Sequence, residues 1–331
     1  MNVLAGDIGG TKTLLHIAEV RGTHIKTLHQ ARFASQEYPD FTGLLGEFLD
    51  QAPPSLRNTL TAACFGVAGP LTGPEHGSRQ ARITNLPWCI DEAQLREQLQ
   101  LPRARLINDF YATASGIEAL DDDDLTALNS VTPHSAAPRL VVGAGTGLGV
   151  AQLFWCDDRY RAFASEGGHT HFAPSDALQA ELLAYMQKQL ERVSYERLVS
   201  GHGLAHIYAF LAQRDVPAAD TRTIMDSPDP AAAIVKLARD GDRLAGQTVS
   251  LFITIYGAVV GDLALVTLAY GGIYIAGGIA PKLLSEIRQG EFMAAYGRKG
   301  RMSPLVEQMP VYIILSQDIG LRGATLVASQ T

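Results

Sequence analysis

Two glycine-rich stretches concentrate the residues that could do chemistry: Gly6-Asp7-Ile8-Gly9-Gly10-Thr11-Lys12 and Gly143-Ala144-Gly145-Thr146-Gly147-Leu148-Gly149. Glycine lets a backbone approach a ligand closely, so the N–H groups of such a turn can face an anion. Asp7 cannot face phosphate unaided, because both are negative. It makes chemical sense as an outer ligand of Mg²⁺, a hard cation held by few carboxylates, water and substrate phosphate. A third cluster, Gly271-Gly272-Ile273-Tyr274-Ile275-Ala276-Gly277-Gly278-Ile279, is a short apolar strand running into a Gly-Gly pair. Beside a nucleotide it could admit the adenine ring against bare backbone. Two familiar phosphate motifs fail. A Walker A loop requires glycine where Thr11 stands, and from Gly145 a dinucleotide GxGxxG would need glycine at Val150. Either turn alone could equally be a tight hairpin, but two in one chain, one beginning with Asp, favour the ligand reading.

The elements that must hold these residues are strands. Val3–Ile8 and Leu14–Val20 read as a hairpin closed by Gly9-Gly10-Thr11-Lys12. Phe41–Leu49 has helical spacing and ends at Pro53-Pro54. Thr61–Val67 is a further strand, a helix runs from Ile90 to about Leu99, and Arg105–Asp109 is a short strand followed by a helix through Ala119. The acidic run Asp121–Asp124 reads as a solvated loop. Arg139–Val142, the second glycine turn and Val150–Trp155 repeat the opening theme 136 positions after Asp7. Two copies of strand, glycine turn and strand suggest two related half-domains facing a cleft.

Composition narrows the function classes. The chain has 331 residues, room for about two domains. An apolar fraction of 47% and a charged fraction of 18% fit a well-buried globular protein. Lys plus Arg is 27 against 34 for Asp plus Glu, a formal −7, which argues against a diffuse basic surface for nucleic acid. Cys64, Cys89 and Cys156 are too scattered for a metal knuckle or a disulfide framework, and are read as reduced thiols of a cytosolic protein. The N-terminus shows no signal-peptide pattern. Between Thr248 and Pro281 the only charge is Asp262. A mid-span aspartate is costly in lipid, so this stretch is read as a buried helix, a Gly-Gly break and a buried strand of a soluble protein, with no membrane partner.

With these motifs in place, the chain resembles the sugar kinase–actin–Hsp70 superfamily. Gly6–Thr11, Gly143–Gly149 and Ile275-Ala276-Gly277-Gly278-Ile279 are similar to its first-phosphate, second-phosphate and adenosine motifs. Within it the chain resembles bacterial ATP-dependent glucokinases, a likeness extending to Ile107-Asn108-Asp109-Phe110, Glu166-Gly167-Gly168-His169 with Phe172-Ala173-Pro174, and Glu196 before Leu198-Val199-Ser200-Gly201. The resemblance covers essentially the whole chain, in order.

It implies an α/β, two-lobed actin-like ATPase (ribonuclease H-like) fold with a ligand cleft between domains that closes on the sugar. The small domain would comprise residues 1–118 and 310–331, with the segment from Val311 returning to it, and the large domain 119–309. The implied reaction is phosphorylation of glucose at its 6-hydroxyl by ATP, feeding glycolysis, in a cytoplasmic homodimer. Asp109 matches the base that takes the hydroxyl proton. Asn108, Asp109, Glu166, His169 and Glu196 match the residues that hold the sugar, with Asn108 offering both donor and acceptor. Nucleotide binding falls to Gly6, Asp7, Ile8, Gly9, Gly10, Thr11, Lys12, Gly143, Gly145, Thr146, Gly147, Gly277 and Gly278. Asp7 would also hold Mg²⁺, through water.

Lys12 stands where many close relatives of this type carry Asn, and His171 where an acidic residue is common; both bear on nucleotide affinity and sugar choice. A kinase for another hexose on the same fold is the nearest alternative. A non-catalytic, sugar-sensing regulator is further away, because the first strand begins by Val3 and leaves no room for a helix-turn-helix.

Overall fold

Alternating small and branched apolar residues make Asn2–Ile8 a central strand, with Val3, Leu4, Ala5 and Ile8 fully buried. In the computed structural model, which describes residues 1–74, 78–215 and 218–330, it pairs antiparallel with Lys12–Arg21, with Asp7 opposite Leu14 and Ile8 opposite Thr13. On its other side it pairs parallel with Leu60–Val67, which in turn pairs parallel with Ala104–Asn108. His24–Ala34 completes this five-stranded sheet at one edge. The edge strand gave no clear sequence signal because its polar residues His24, Lys26, Thr27, Gln30 and Arg32 are exposed and leave no regular apolar alternation.

The second large sheet repeats the plan. Arg139–Ala144 pairs antiparallel with Leu148–Cys156 and parallel with Ile273–Ala276, which pairs parallel with Val311–Ile314. Arg159–Ser165 and Leu125–Ala127 form its edges. The repeat read from the glycine turns is therefore a repeat of topology: a hairpin whose first strand leads inward to parallel neighbours.

The chain divides into two compact units. The first holds Met1–Asp124, Arg161–Ala164 and Ser316–Thr331; the second holds Leu125–Tyr160 and Ser165–Leu315. Val311–Ile314 belongs with the second unit, because it pairs with Ile273–Ala276 and Leu125–Ala127. The return to the first unit thus begins at Ser316, with the helix Ile319–Gln330. That helix packs Leu321, Ala324 and Val327 against Val3, Ala5, Cys64 and Ile107 of the first sheet. The opposite face of the sheet is covered by Phe41, Leu44 and Phe48 of the helix Phe41–Gln51, capped by Asp40, whose side chain accepts the Gly43 N–H at 2.8 Å.

In the second unit the helix Arg243–Thr267 runs through the core, with Phe252, Tyr256, Val259 and Val260 among a large apolar cluster. By length and composition it could cross a membrane, yet 67% of its most apolar window is buried inside the protein. It is a core helix.

Three local readings change. Cys89–Asp91 is a short strand, and the helix begins at Glu92 because Asp91 caps it, accepting from Ala93 and Gln94 N–H. The strand after it ends at Asn108, and Asp109 opens the next helix, Asp109–Ser115. The acidic run is not wholly solvated: Asp124 accepts from the Arg322 guanidinium at 2.7 Å, tying the run to the C-terminal helix.

Candidate active site

In the first unit, Asp7 and Asn108 stand at the C-terminal ends of parallel strands, with Leu60–Val67 between them. Ends of this kind are where open α/β sheets bind ligands. Asp7 is half-buried, and burial pushes its carboxyl up to about 6; the charge of Asp109 adds to this and Lys12 opposes it. The first turn of the C-terminal helix lies alongside. A Cβ built on Gly320 would stand 3.3 Å from Asp7 Oδ2, so a side chain there would crowd the carboxylate. Two carboxylates drawn together, one of them desolvated, form a donor set that a divalent cation would relieve, so these residues fit Mg²⁺.

Asn108 caps the helix it precedes, its Oδ1 accepting from Phe110 N–H at 2.9 Å and Tyr111 N–H at 3.0 Å. The cap engages the acceptor, so Asn108 offers a ligand its amide N–H₂ rather than both functions. Asp109 follows in the first turn; one of its carboxylate oxygens, Oδ1, accepts from Phe110 N–H at 2.9 Å.

The hairpin turn of Gly9, Gly10, Thr11 and Lys12 is held from outside. Gly9 N–H donates to Lys12 O at 3.0 Å, and Ser35 Oγ donates to Gly9 O at 2.8 Å. With that proton engaged, the Thr13 hydroxyl donates to Ser35 Oγ. Gly6 and Ile8 lie in the strand itself, and Thr11 is exposed. Ser35 carried no sequence signal, since its role depends on a loop folding back over the turn.

In the second unit, Gly145, Thr146 and Gly147 form the turn between the paired strands, closed by Gly145 N–H donating to Gly147 O at 2.8 Å. Gly143 lies within the strand, opposite Gly149 and Ala276. Glu196 sits directly over the turn: its Oε2 accepts Leu148 N–H at 3.0 Å. A Cβ on Gly147 would stand 2.5 Å from that same oxygen, so a side chain there would displace the carboxylate from its place. His169 lies between two acids, with Nδ1 at 3.8 Å from Glu196 Oε1 and Nε2 at 3.7 Å from Glu166 Oε2. The Arg192 guanidinium donates to His169 O at 2.6 Å. The structure thus brings Glu166, His169 and Glu196 together. Their side chains are 88%, 52% and 28% exposed, so Glu196 is the anchored member and Glu166 the solvated one.

The same turn opens onto a cavity of about 710 Å³, within the range of a nucleotide-sized pocket. Gly145, Thr146 and Gly278 line it; so do Gly201, His202, Ala205, Val235, Lys236, Ile279 and Lys282. Its apolar walls and its glycine turn suit a base at one end and phosphates at the other, so these residues fit ATP. One wall is the helix Pro230–Arg239, started by Asp229 as cap with proline in the first turn. That start signal is legible in the sequence, but its membership in a pocket is not. Arg239 ties this wall to the next, donating to Glu286 Oε1 at 2.7 Å and to Lys282 O at 2.5 Å.

Comparison with known proteins gives the family. A family model described as glucokinase matches residues 4–331. The chain is 42% identical to a glucokinase of Trichormus variabilis over 99% of each chain. Among solved structures, a glucokinase from an Antarctic psychrotroph superposes with a TM-score of 0.87 at 28% identity, covering 100% of this chain and 99% of that one. A ROK family glucokinase from Streptomyces griseus, in complex with glucose and AMPPNP, shares the fold with a TM-score of 0.62 at 19% identity, covering 100% of each chain. A glycine turn in each sheet, acids at strand ends and a full-length family match lead to one conclusion: the chain belongs to the glucokinase family.

Proposed function

We propose that the protein transfers the terminal phosphoryl group of ATP to the 6-hydroxyl of glucose, giving glucose 6-phosphate and ADP. One observation carries the reading. Glu196, the anchored sugar candidate, is hydrogen-bonded to the backbone of the same glycine turn that lines the nucleotide-sized cavity. Acceptor and donor substrates are thereby referred to one rigid element. The full-length relatives named glucokinase and the neighbour holding glucose with AMPPNP support the same substrates.

In this reading Asp109 accepts the proton of the 6-hydroxyl as that oxygen bonds to the γ-phosphorus and the bond to the β,γ-bridging oxygen breaks. General-base help of this kind is typically worth 10²–10⁴-fold in rate. Asn108 donates from its amide, and Glu166, His169 and Glu196 accept from or donate to the remaining hydroxyls. Gly145, Thr146 and Gly278, with the Gly9–Lys12 turn, take the nucleotide. Bound near Asp7, Mg²⁺ would neutralise charge on the transferring phosphates. Lys12 adds a nearby positive charge to the same end of the site.

A cytoplasmic setting, where the product enters glycolysis, belongs to the same proposal. So does a homodimer, which the family resemblance implies and light scattering would test. The function is tested by coupled detection of hexose 6-phosphate with ATP and Mg²⁺, using glucose beside fructose and mannose. Glucose is expected to give the highest kcat/KM. A higher value for another hexose moves the assignment to that sugar, and no product with any hexose overturns it.

A further inference from the structure

Asp262 is the one charge in the long apolar stretch from Thr248 to Pro281, and neither phosphoryl transfer nor nucleotide binding uses it. Its partners give it a purpose. Lys299 Nζ, with a side chain only 8% exposed, donates to Asp262 Oδ1 at 2.6 Å and to Ala258 O at 2.8 Å. The other carboxylate oxygen accepts the Tyr195 hydroxyl at 3.1 Å. Tyr195 immediately precedes Glu196 and opens the short turn Tyr195–Arg197 that carries it.

Tyr195 also reaches the other sugar segment. Its backbone N–H donates to Thr170 O at 3.0 Å, one residue beyond His169. Its ring packs edge-on against Phe172, with centroids 5.8 Å apart. At 4% exposure the residue is buried and cannot itself touch a sugar. It joins the His169 segment, the Glu196 turn and the core helix at one point.

We propose that Tyr195, held by Asp262 and through it by Lys299, is a positioning residue for the sugar: it fixes the Glu196 turn and the His169 segment in one relative arrangement. The inference rests on the sugar-binding reading of Glu196 and His169. Its physical basis is that a buried ring packed on Phe172, whose hydroxyl donates to a paired carboxylate and whose backbone donates to Thr170 O, has one preferred position. Burial beside Asp262 also keeps the phenol protonated well above the ordinary tyrosine range, so the donor persists at any working pH.

The test uses the full-length enzyme. Tyr195→Phe keeps the ring and removes the hydroxyl. Asp262→Leu with Lys299→Met removes the acceptor without stranding a buried ammonium. Asp262→Asn keeps an acceptor oxygen. Loss of one hydrogen bond predicts a rise of about five-fold in KM for glucose in the first two, and a smaller rise in the third. KM for ATP should move by less than about two-fold, since a positioning loss confined to the sugar leaves nucleotide binding alone. A general loss of structure would instead lower the melting temperature and shift both KM values together. An unchanged KM for glucose in Tyr195→Phe, or a KM for ATP rising in step with it, overturns the proposal. Glu196→Gln, measured in parallel, tells two failures apart. A large glucose effect there, with none in Tyr195→Phe, removes the positioning role alone. No effect in either removes the sugar site on which it rests.

Discussion

The two glycine turns have similar sequences and the same place in matching sheets, yet their surroundings differ. Around the first, Asp7 is desolvated and repelled by Asp109, so its carboxyl is pushed up to about 6. Around the second, Glu196 is hydrogen-bonded to Leu148 N–H, Glu166 is solvated, and His169 stands 3.7 Å from Glu166 and 3.8 Å from Glu196. One region stores electrostatic tension; the other is satisfied in advance. The difference suits a division of labour. Charge held at a cost can be released when a cation and a reacting group arrive, whereas groups that recognise a ligand gain from being already in place.

The largest effect that would test this contrast is Asp109→Ala, expected to lower kcat by about 10²–10⁴-fold while leaving folding and glucose binding intact. Steady-state kinetics beside glucose-induced fluorescence change would show it, and a kcat within about ten-fold of the parent would end the assignment of Asp109 as base. Next is Asp7→Asn, expected to cost about a hundred-fold or more in kcat/KM for ATP, by loss of the carboxylate near the metal. The same variant should be more stable. A native carboxyl raised to about 6 from 3.8 binds its proton more tightly than the unfolded chain does, so its ionisation at pH 7 opposes folding, by up to about 3 kcal/mol. Removing that charge should raise the melting temperature by about 2–4 °C or more, and a fall in melting temperature would contradict the tension described for this region.

The satisfied region should respond more gently. In Gly147→Ala the new methyl would stand 2.5 Å from Glu196 Oε2, so the carboxylate must move off Leu148 N–H. KM for glucose is expected to rise about five- to ten-fold, and an unchanged value would show that the turn does not hold Glu196 for the sugar. The smallest effect at neutral pH concerns stability alone. His16 is buried in the strand Lys12–Arg21 that follows the first turn. Thr325 Oγ donates to Leu321 O, so His16 Nε2–H is the donor to Thr325. Burial holds the ring neutral, lowering its ionisation from 6.5 to about 4 despite the opposing charge of Asp318. The unfolded chain takes up that proton first. Stability is therefore full above pH 6.5 and falls as pH drops toward about 4, by up to about 3 kcal/mol. Urea melts across that range should show the fall, and His16→Gln should flatten it.

Much of this site was legible because its chemistry constrains backbone types. Gly10, Gly147 and Gly277 stand out because a close approach or a left-handed backbone works against a side chain there. Asn108 and Asp109 could be read as a helix start or as a polar strand end, and they are both: Asn108 caps the helix with one atom and keeps another to offer. What escaped the sequence depends on distant segments meeting. Ser35 reaches the first turn, Arg239 bridges two pocket walls through Glu286, and Tyr195 meets Asp262 across 67 positions. Ordinary serine, arginine and tyrosine residues carry no mark of such partnerships.

The sequence by itself determined the repeated strand, turn and strand plan and the glycine positions, which follow from local sterics and hydrophobic period, and, through the resemblance of its motifs, the family. Tertiary structure alone decided which of two readings each ambiguous segment took. Val311–Ile314 joined the second sheet because backbone donors and acceptors must pair where neighbouring strands expose them. The apolar helix Arg243–Thr267 became a core element because other residues of the same chain supply the burial it requires. Asp262, half-exposed on that helix, pairs there with the buried Lys299 ammonium and the Tyr195 hydroxyl, a meeting no local window of sequence contains.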